Sequence, residues 1–145
     1  MRRRVNRATW RQARGASSIE LVLLAPIVIL CILLVGQFAM WYQARHVAIA
    51  AAQEGAREAR DLAQGIPWQG PAVVVATNYA HQIGGSLLKG VSATPVGNGD
   101  QRGVTVSGTA PSILPLPWTF RISETSEGPT ECFRPSGNTQ QCSGG

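Results

Sequence analysis

The sequence is poor in the side chains that do chemistry. Its 145 residues include two histidines, His46 and His81, and eight carboxylates, with no nucleophile motif and no glycine loop of phosphate-binding form. Catalysis needs such groups at workable spacing, so the pattern excludes any recognisable enzyme and calls for no cofactor. Cysteine is almost as scarce. Cys31, Cys132 and Cys142 stand far from both histidines and lack the spacing of metal ligands, so no metal site is expected. There is no internal repeat. Basic residues are missing where a nucleic-acid surface would need them. Six of the thirteen (Arg2, Arg3, Arg4, Arg7, Arg11 and Arg14) precede residue 15, and beyond it seven basic residues face eight acidic ones, a balance of 7 − 8 = −1. The formal charge of +5 is therefore a property of the head alone, and nucleic acid is excluded as a partner.

What the sequence does have is one long apolar run. Residues 21–42, LVLLAPIVILCILLVGQFAMWY, are 22 residues without a charge, and a bilayer core needs about 20 residues of helix. A spanning helix is expected, with Gln37 its one polar side chain of any size and Trp41 and Tyr42 at its distal end, where amphipathic aromatics favour the interface. The arginine-rich head puts the N-terminus in the cytoplasm and exports the rest. Pro26 removes one backbone hydrogen bond early in the span and predicts a kink. Cys31 is read as a small apolar filler. Export makes a disulfide between Cys132 and Cys142 plausible, closing a short loop worth about 2–3 kcal/mol; two free thiols are the alternative.

Helical signals continue beyond the membrane. Small or apolar residues at Ala44, Val47, Ala48, Ala51, Gly55, Ala59 and Leu62 form a stripe, and Arg57 and Asp61 sit i, i+4 on the polar side. One helix is expected over 16–64, roughly 70 Å long at 1.5 Å per residue, its stripe suited to neighbouring helices or to a thin domain. A second, short helix is expected over about 71–88, with Val74, Tyr79, Ile83 and Leu87 mostly on one face. Two alternating segments around Gly97, Asn98, Gly99 and Asp100 predict a β-hairpin. One more strand is expected near 119–123, followed by disorder, with Trp68 and Trp118 packing a thin core. The fold class is thus membrane-anchored α+β: a leader over 1–15, the long helix over 16–64, a small exported domain over 65–125 and a flexible Pro/Gly-rich tail over 126–145.

The segment RGASSIELVLLAP, residues 14–26, carries an acid almost at the start of the apolar helix. A carboxylate within a span costs about 2.5–3.5 kcal/mol at mid-depth, less near the interface, and is usually functional. Glu20 can be a helix-start acid behind Ser17 and Ser18, meeting the helix dipole. Basic residues, then Gly15, four residues, Glu20 and an unbroken apolar helix also resemble a type IV prepilin signal. The early proline, the stretch AIAAAQEGAREAR and the tail segments VTVSGTA and EGPTECFRP narrow the resemblance to TadE-like pseudopilins of the tight adherence (Flp pilus) system. Ala16, where a large apolar residue is more usual, departs from the pattern.

That resemblance implies cleavage by a prepilin peptidase after Gly15, leaving Ala16 as the mature N-terminus, and a role for Glu20 in setting register by pairing with the amino terminus of a neighbouring subunit. It implies a minor pilin-like subunit whose partners are the membrane, the prepilin peptidase, other pilin or pseudopilin subunits and the pilus assembly machinery. The stripe over 44–59 would let subunits approach closely. Two other readings compete. An uncleaved single-pass scaffold of another envelope complex needs Glu20 only as a helix-start acid. A secretory signal cut after the A-x-A of Ala48, Ile49 and Ala50 requires an apolar core of 7–15 residues, shorter than the one present.

Overall fold

The computed structural model describes residues 9–62, 65–98, 100–114 and 119–130, with side chains from Ser18 onward. A long helix, α1 (Thr9–Asp61), is followed by α2 (Gln69–Gly84) and three strands, β1 (Lys89–Val96), β2 (Gln101–Ala110) and β3 (Phe120–Pro129). The strands form one antiparallel sheet in the order β1-β2-β3. This is an α+β architecture with, among the described residues, one helix long and apolar enough to cross a membrane.

α1 spans 53 residues, about 80 Å. It starts seven residues before the position expected for its first turn and continues through Pro26. Arg102 of β2 terminates it from across the fold, donating from Nη1 to the carbonyls of Ala59 (3.2 Å) and Leu62 (2.8 Å). The last carbonyls of a helix have no partner inside it, and a buried guanidinium that also lies 5.8 Å from the centre of the Trp68 ring supplies one here.

Both helices cover one face of the sheet. α1 lies over β2 and β3, and α2 over β1 and β2. On the covered face Val104 and Val106 are fully buried, joined by Ala110 and Ile122. The opposite face alternates to hydroxyls, with Thr105 opposite Thr125 and Ser107 opposite Ser123. Gly90, at φ +61°, accompanies the register slip between Lys89 and Ser92 in β1. β3 extends six residues past the expected end at 123, because each of its residues to Pro129 finds a partner on β2.

Of the two surroundings expected for the α1 stripe, the chain's own thin domain covers it, with Ala44, Ala48, Ala51 and Ala59 wholly buried, so it is not open to the approach of other subunits. The face expected for α2 does not turn inward as a whole. Val74 is 57% exposed and Ile83 43%, whereas Ala72, Ala76, Ala80 and Gly84 form the buried ladder. The reason is distance. A Cβ added at Gly55 of α1 would stand 2.7 Å from the Ala76 Cβ and 2.9 Å from the Ala72 carbonyl oxygen. At this close approach only alanine and glycine fit around Gly55, so Val74 and Ile83 of α2 turn outward, while Tyr79 packs partly against the core. The helix also stops before the expected Leu88, since Gly85, at φ +48°, bends the chain away and donates back to the His81 carbonyl.

Overpacking a core contact of this kind typically costs about 1–3 kcal/mol. Gly55→Val should lower stability by that amount in thermal or denaturant unfolding of the detergent-solubilised protein. Gly70→Ala, where an added Cβ meets nothing, should stay within about 0.5 kcal/mol of the parent.

Candidate functional site: the apolar sleeve of the long helix

α1 changes character along its length. Its apolar part has a mean hydropathy of 2.9 over an 18-residue window, none of it buried. Leucine, isoleucine and valine side chains from Ile19 to Val35 are exposed on every face of the helix, Val22 at 71% and Val35 at 70% among them. From Ala44 onward one face is sealed by α2 and the sheet. A helix that is apolar all round needs a non-aqueous surrounding. Either lipid or other apolar helices can supply it.

Glu20 lies in the first described turn of this sleeve. It is exposed and forms no ion pair among the described residues. A shallow hollow beside it is lined by Ser18, Leu21 and Leu24. Gly15 and Ala16 fall within α1, and their side chains are outside the described set. Their peptide bond is therefore helical, and any enzyme that binds an extended substrate must first unwind it. Cys31 is a free, exposed thiol in the middle of the sleeve. Cys132, Cys142 and Trp118 lie outside the described residues.

Where the sleeve meets the folded part, the helix carries side chains whose roles were not evident from composition. Gln37 is buried. Its Nε2 donates to the Pro111 carbonyl (3.3 Å), while its Oε1 accepts from the Ile113 N–H (2.8 Å). Above it, Arg45 Nε donates to Glu124 Oε1 at 2.7 Å, tying α1 to β3, and its guanidinium lies 6.0 Å from the centre of the Trp41 ring. Tyr42 and His46 stack edge to face with ring centroids 4.3 Å apart. The isolated polar residue was a visible signal for Gln37. Its partners, some 74–76 positions away, were not.

Farther along, Arg57 pairs with Glu54 at 2.7 Å. This is an i, i+3 contact in place of the i, i+4 spacing to Asp61, and the hydrogen bond to Glu54 holds the Arg57 pKa above its ordinary value. Glu54, Arg57, Arg60 and Tyr79 line a polar hollow against Ser126. His81 is exposed on α2 and Trp68 packs against the core. Among the described residues no three His, Cys, Asp or Glu side chains gather as a metal site would require.

The described layout is a long helix, apolar and uncovered over one part and clothed by α2 and the sheet over the other. Residues 15–57 match the family model for TadE-like protein, a pilus-associated structural family. The match begins at the glycine that opens the head motif and ends inside α1, before α2 and the sheet. No curated protein and no solved structure matches the chain.

If the sleeve lies in lipid, Cys31 should be shielded. With Cys132→Ser and Cys142→Ser in place, a charged maleimide should leave Cys31 unmodified in intact membranes and label it after denaturing solubilisation. Fast labelling in intact membranes would mean the sleeve is not in lipid.

Proposed function

We propose that this chain is a minor pilin-like subunit of a tight adherence pilus system, exported with its N-terminus in the cytoplasm and processed by a prepilin peptidase after Gly15. The observation that carries the reading is the division of α1. One half is committed to a folded domain, while the other is left apolar and uncovered, headed by an exposed acid. Such a half-helix is stable in a bilayer and equally suited to a bundle of like helices, which is what a subunit moving from membrane to filament requires. The TadE-like match over 15–57 supports the same reading.

Each residue of the head then has a task. The six arginines before Gly15 orient the chain and leave with the leader. Cleavage creates an ammonium group at Ala16, four residues before Glu20, and the carboxylate pairs with that group on a neighbouring subunit in low dielectric. Breaking a buried pair of this kind costs about 3–5 kcal/mol. The subunit works by packing and by position, with no catalytic step of its own.

The uncleaved anchor also has an observation in its favour, since α1 begins at Thr9 and holds the Gly15–Ala16 bond in helix. N-terminal sequencing decides between the two. Material isolated from peptidase-containing cells should begin at Ala16, and Gly15→Leu should retain the leader. Glu20→Gln should be cleaved as usual but lose co-purification with the other pilin subunits by about tenfold or more, the equivalent of at least about 1.4 kcal/mol. Full-length protein in peptidase-containing cells would sink the processed-subunit reading.

A further inference from the structure

We propose that the chain has a second membrane contact: residues 111–114, at the start of the β2–β3 connection, sit in the distal boundary of the bilayer, and Gln37 is what allows them to stay there. The inference rests on the reading that α1 spans the membrane, and goes beyond it.

Helix geometry sets the depth. Counted from Leu21, the first residue of the apolar run, Gln37 lies 16 residues along, about 24 Å at 1.5 Å each, in the distal part of the roughly 30 Å of hydrocarbon in a bilayer. Arg45, the first charge after the sleeve, lies about 12 Å farther along, at the headgroups. Gln37 therefore sits about one helical turn inside the hydrocarbon edge, and Trp41 and Tyr42 between the two form an interfacial aromatic belt. Phe38 is 65% exposed and Tyr42 57%. The connection reaches down to this same level. The Ile113 side chain comes within 3.5 Å of where a Cβ on Gly36 would stand, and is itself 49% exposed.

Non-helical backbone at such depth is costly unless its polar groups are satisfied within the protein. Three of the backbone groups find side-chain partners here, two of them on Gln37. Pro111 has no N–H, and its carbonyl accepts from Gln37 Nε2. The Ile113 N–H donates to Gln37 Oε1. Ser112 Oγ lies 2.7 Å from the Leu114 carbonyl oxygen and 3.4 Å from Gln37 Oε1. One carboxamide thus stands in for a neighbouring strand, offering a donor and an acceptor to the loop. It leaves Ile113 as the outward-facing group. The occupant of this surface is lipid, because the exposed Ile113 adjoins the lipid-facing sleeve at Gly36 with no polar side chain between them.

The test uses the full-length protein with Cys132→Ser and Cys142→Ser, reconstituted in phosphatidylcholine and phosphatidylglycerol vesicles. A nitroxide is attached at native Cys31 or, with Cys31→Ser, at Ile113→Cys or at Thr94→Cys on the uncovered sheet face. The Cys31 and Ile113 labels should collide several-fold more with oxygen, relative to an aqueous nickel chelate, than the Thr94 label does. Adding Gln37→Leu should shift the Ile113 label to the aqueous pattern while Cys31 stays in lipid and helical content is retained. An aqueous Ile113 label beside a lipid-bound Cys31 label overturns the second contact and leaves the span standing. An aqueous Cys31 label overturns both. An Ile113 label that keeps its depth in the Gln37→Leu protein overturns the role given to Gln37.

Discussion

Everything in this molecule hangs on one helix having to satisfy two surroundings. Over 21–35 the surface of α1 is apolar on all sides and unburied; over 44–59 it is apolar on one side only, and that side is covered. Nothing in the backbone marks the change, since the helix is continuous through both. The change is written in side chains: large branched residues where lipid or another helix must be met, alanine and glycine where the chain's own domain must come close. The folded part cannot slide along this helix. Gln37 and the Arg45–Glu124 pair fix its lower end, and the Arg102 contact with the Ala59 and Leu62 carbonyls fixes its upper end.

Alanine contributes little apolar area per residue, so the core gains mainly from proximity. At close approach each backbone and Cβ atom finds many neighbours at dispersion distance, which small side chains permit and large ones prevent. Gly55 against Ala76, and Gly108 beneath the Leu88 side chain, are the points where this is most severe. The same economy explains why three guanidinium groups matter to the domain. With a thin apolar core, long-range polar ties at Arg45 and Arg102 and the stem of Arg60 laid over Gly128 supply fixed distances that alanines alone do not.

Much of this could be read from sequence because the strongest signals were periodic or compositional. The apolar run, the alanine stripe, the Gly97–Asp100 turn and the two hydroxyl-rich segments each depend on near neighbours, and each led to the right element. The errors share a cause. The ordinary preference for burying large residues turns Val74 and Ile83 of α2 inward, and the close approach at Gly55 reverses these two, while Tyr79 does pack against the core. ETSEGP, residues 124–129, has no apolar alternation to mark it as strand, yet its pairing with β2 extends the ladder through Pro129. Gln37 stood out as the lone polar residue of the span, but what it binds lies in a connection with no local signature. The head behaved differently again. Its legible feature is the resemblance to TadE-like proteins, which the family model matches over residues 15–57.

The burial of the alanine stripe also redraws where another subunit can touch this one. Ala44 to Ala59 seemed a natural surface for helix–helix assembly, but α2 and the sheet occupy it. What remains apolar and open on α1 is the sleeve below Gly36, together with Phe38 and Tyr42. In the proposed assembly, contacts with neighbouring subunits through α1 would thereby be confined to the sleeve that Glu20 heads. An acid at the start of an otherwise featureless apolar cylinder gains influence from that confinement. Leucine, isoleucine and valine surfaces can slide past one another at little cost, whereas a buried charge tolerates only the position where its partner stands. In the assembly proposed above, register along the helix axis would depend on Glu20, while the domain above would set how closely the axes can approach.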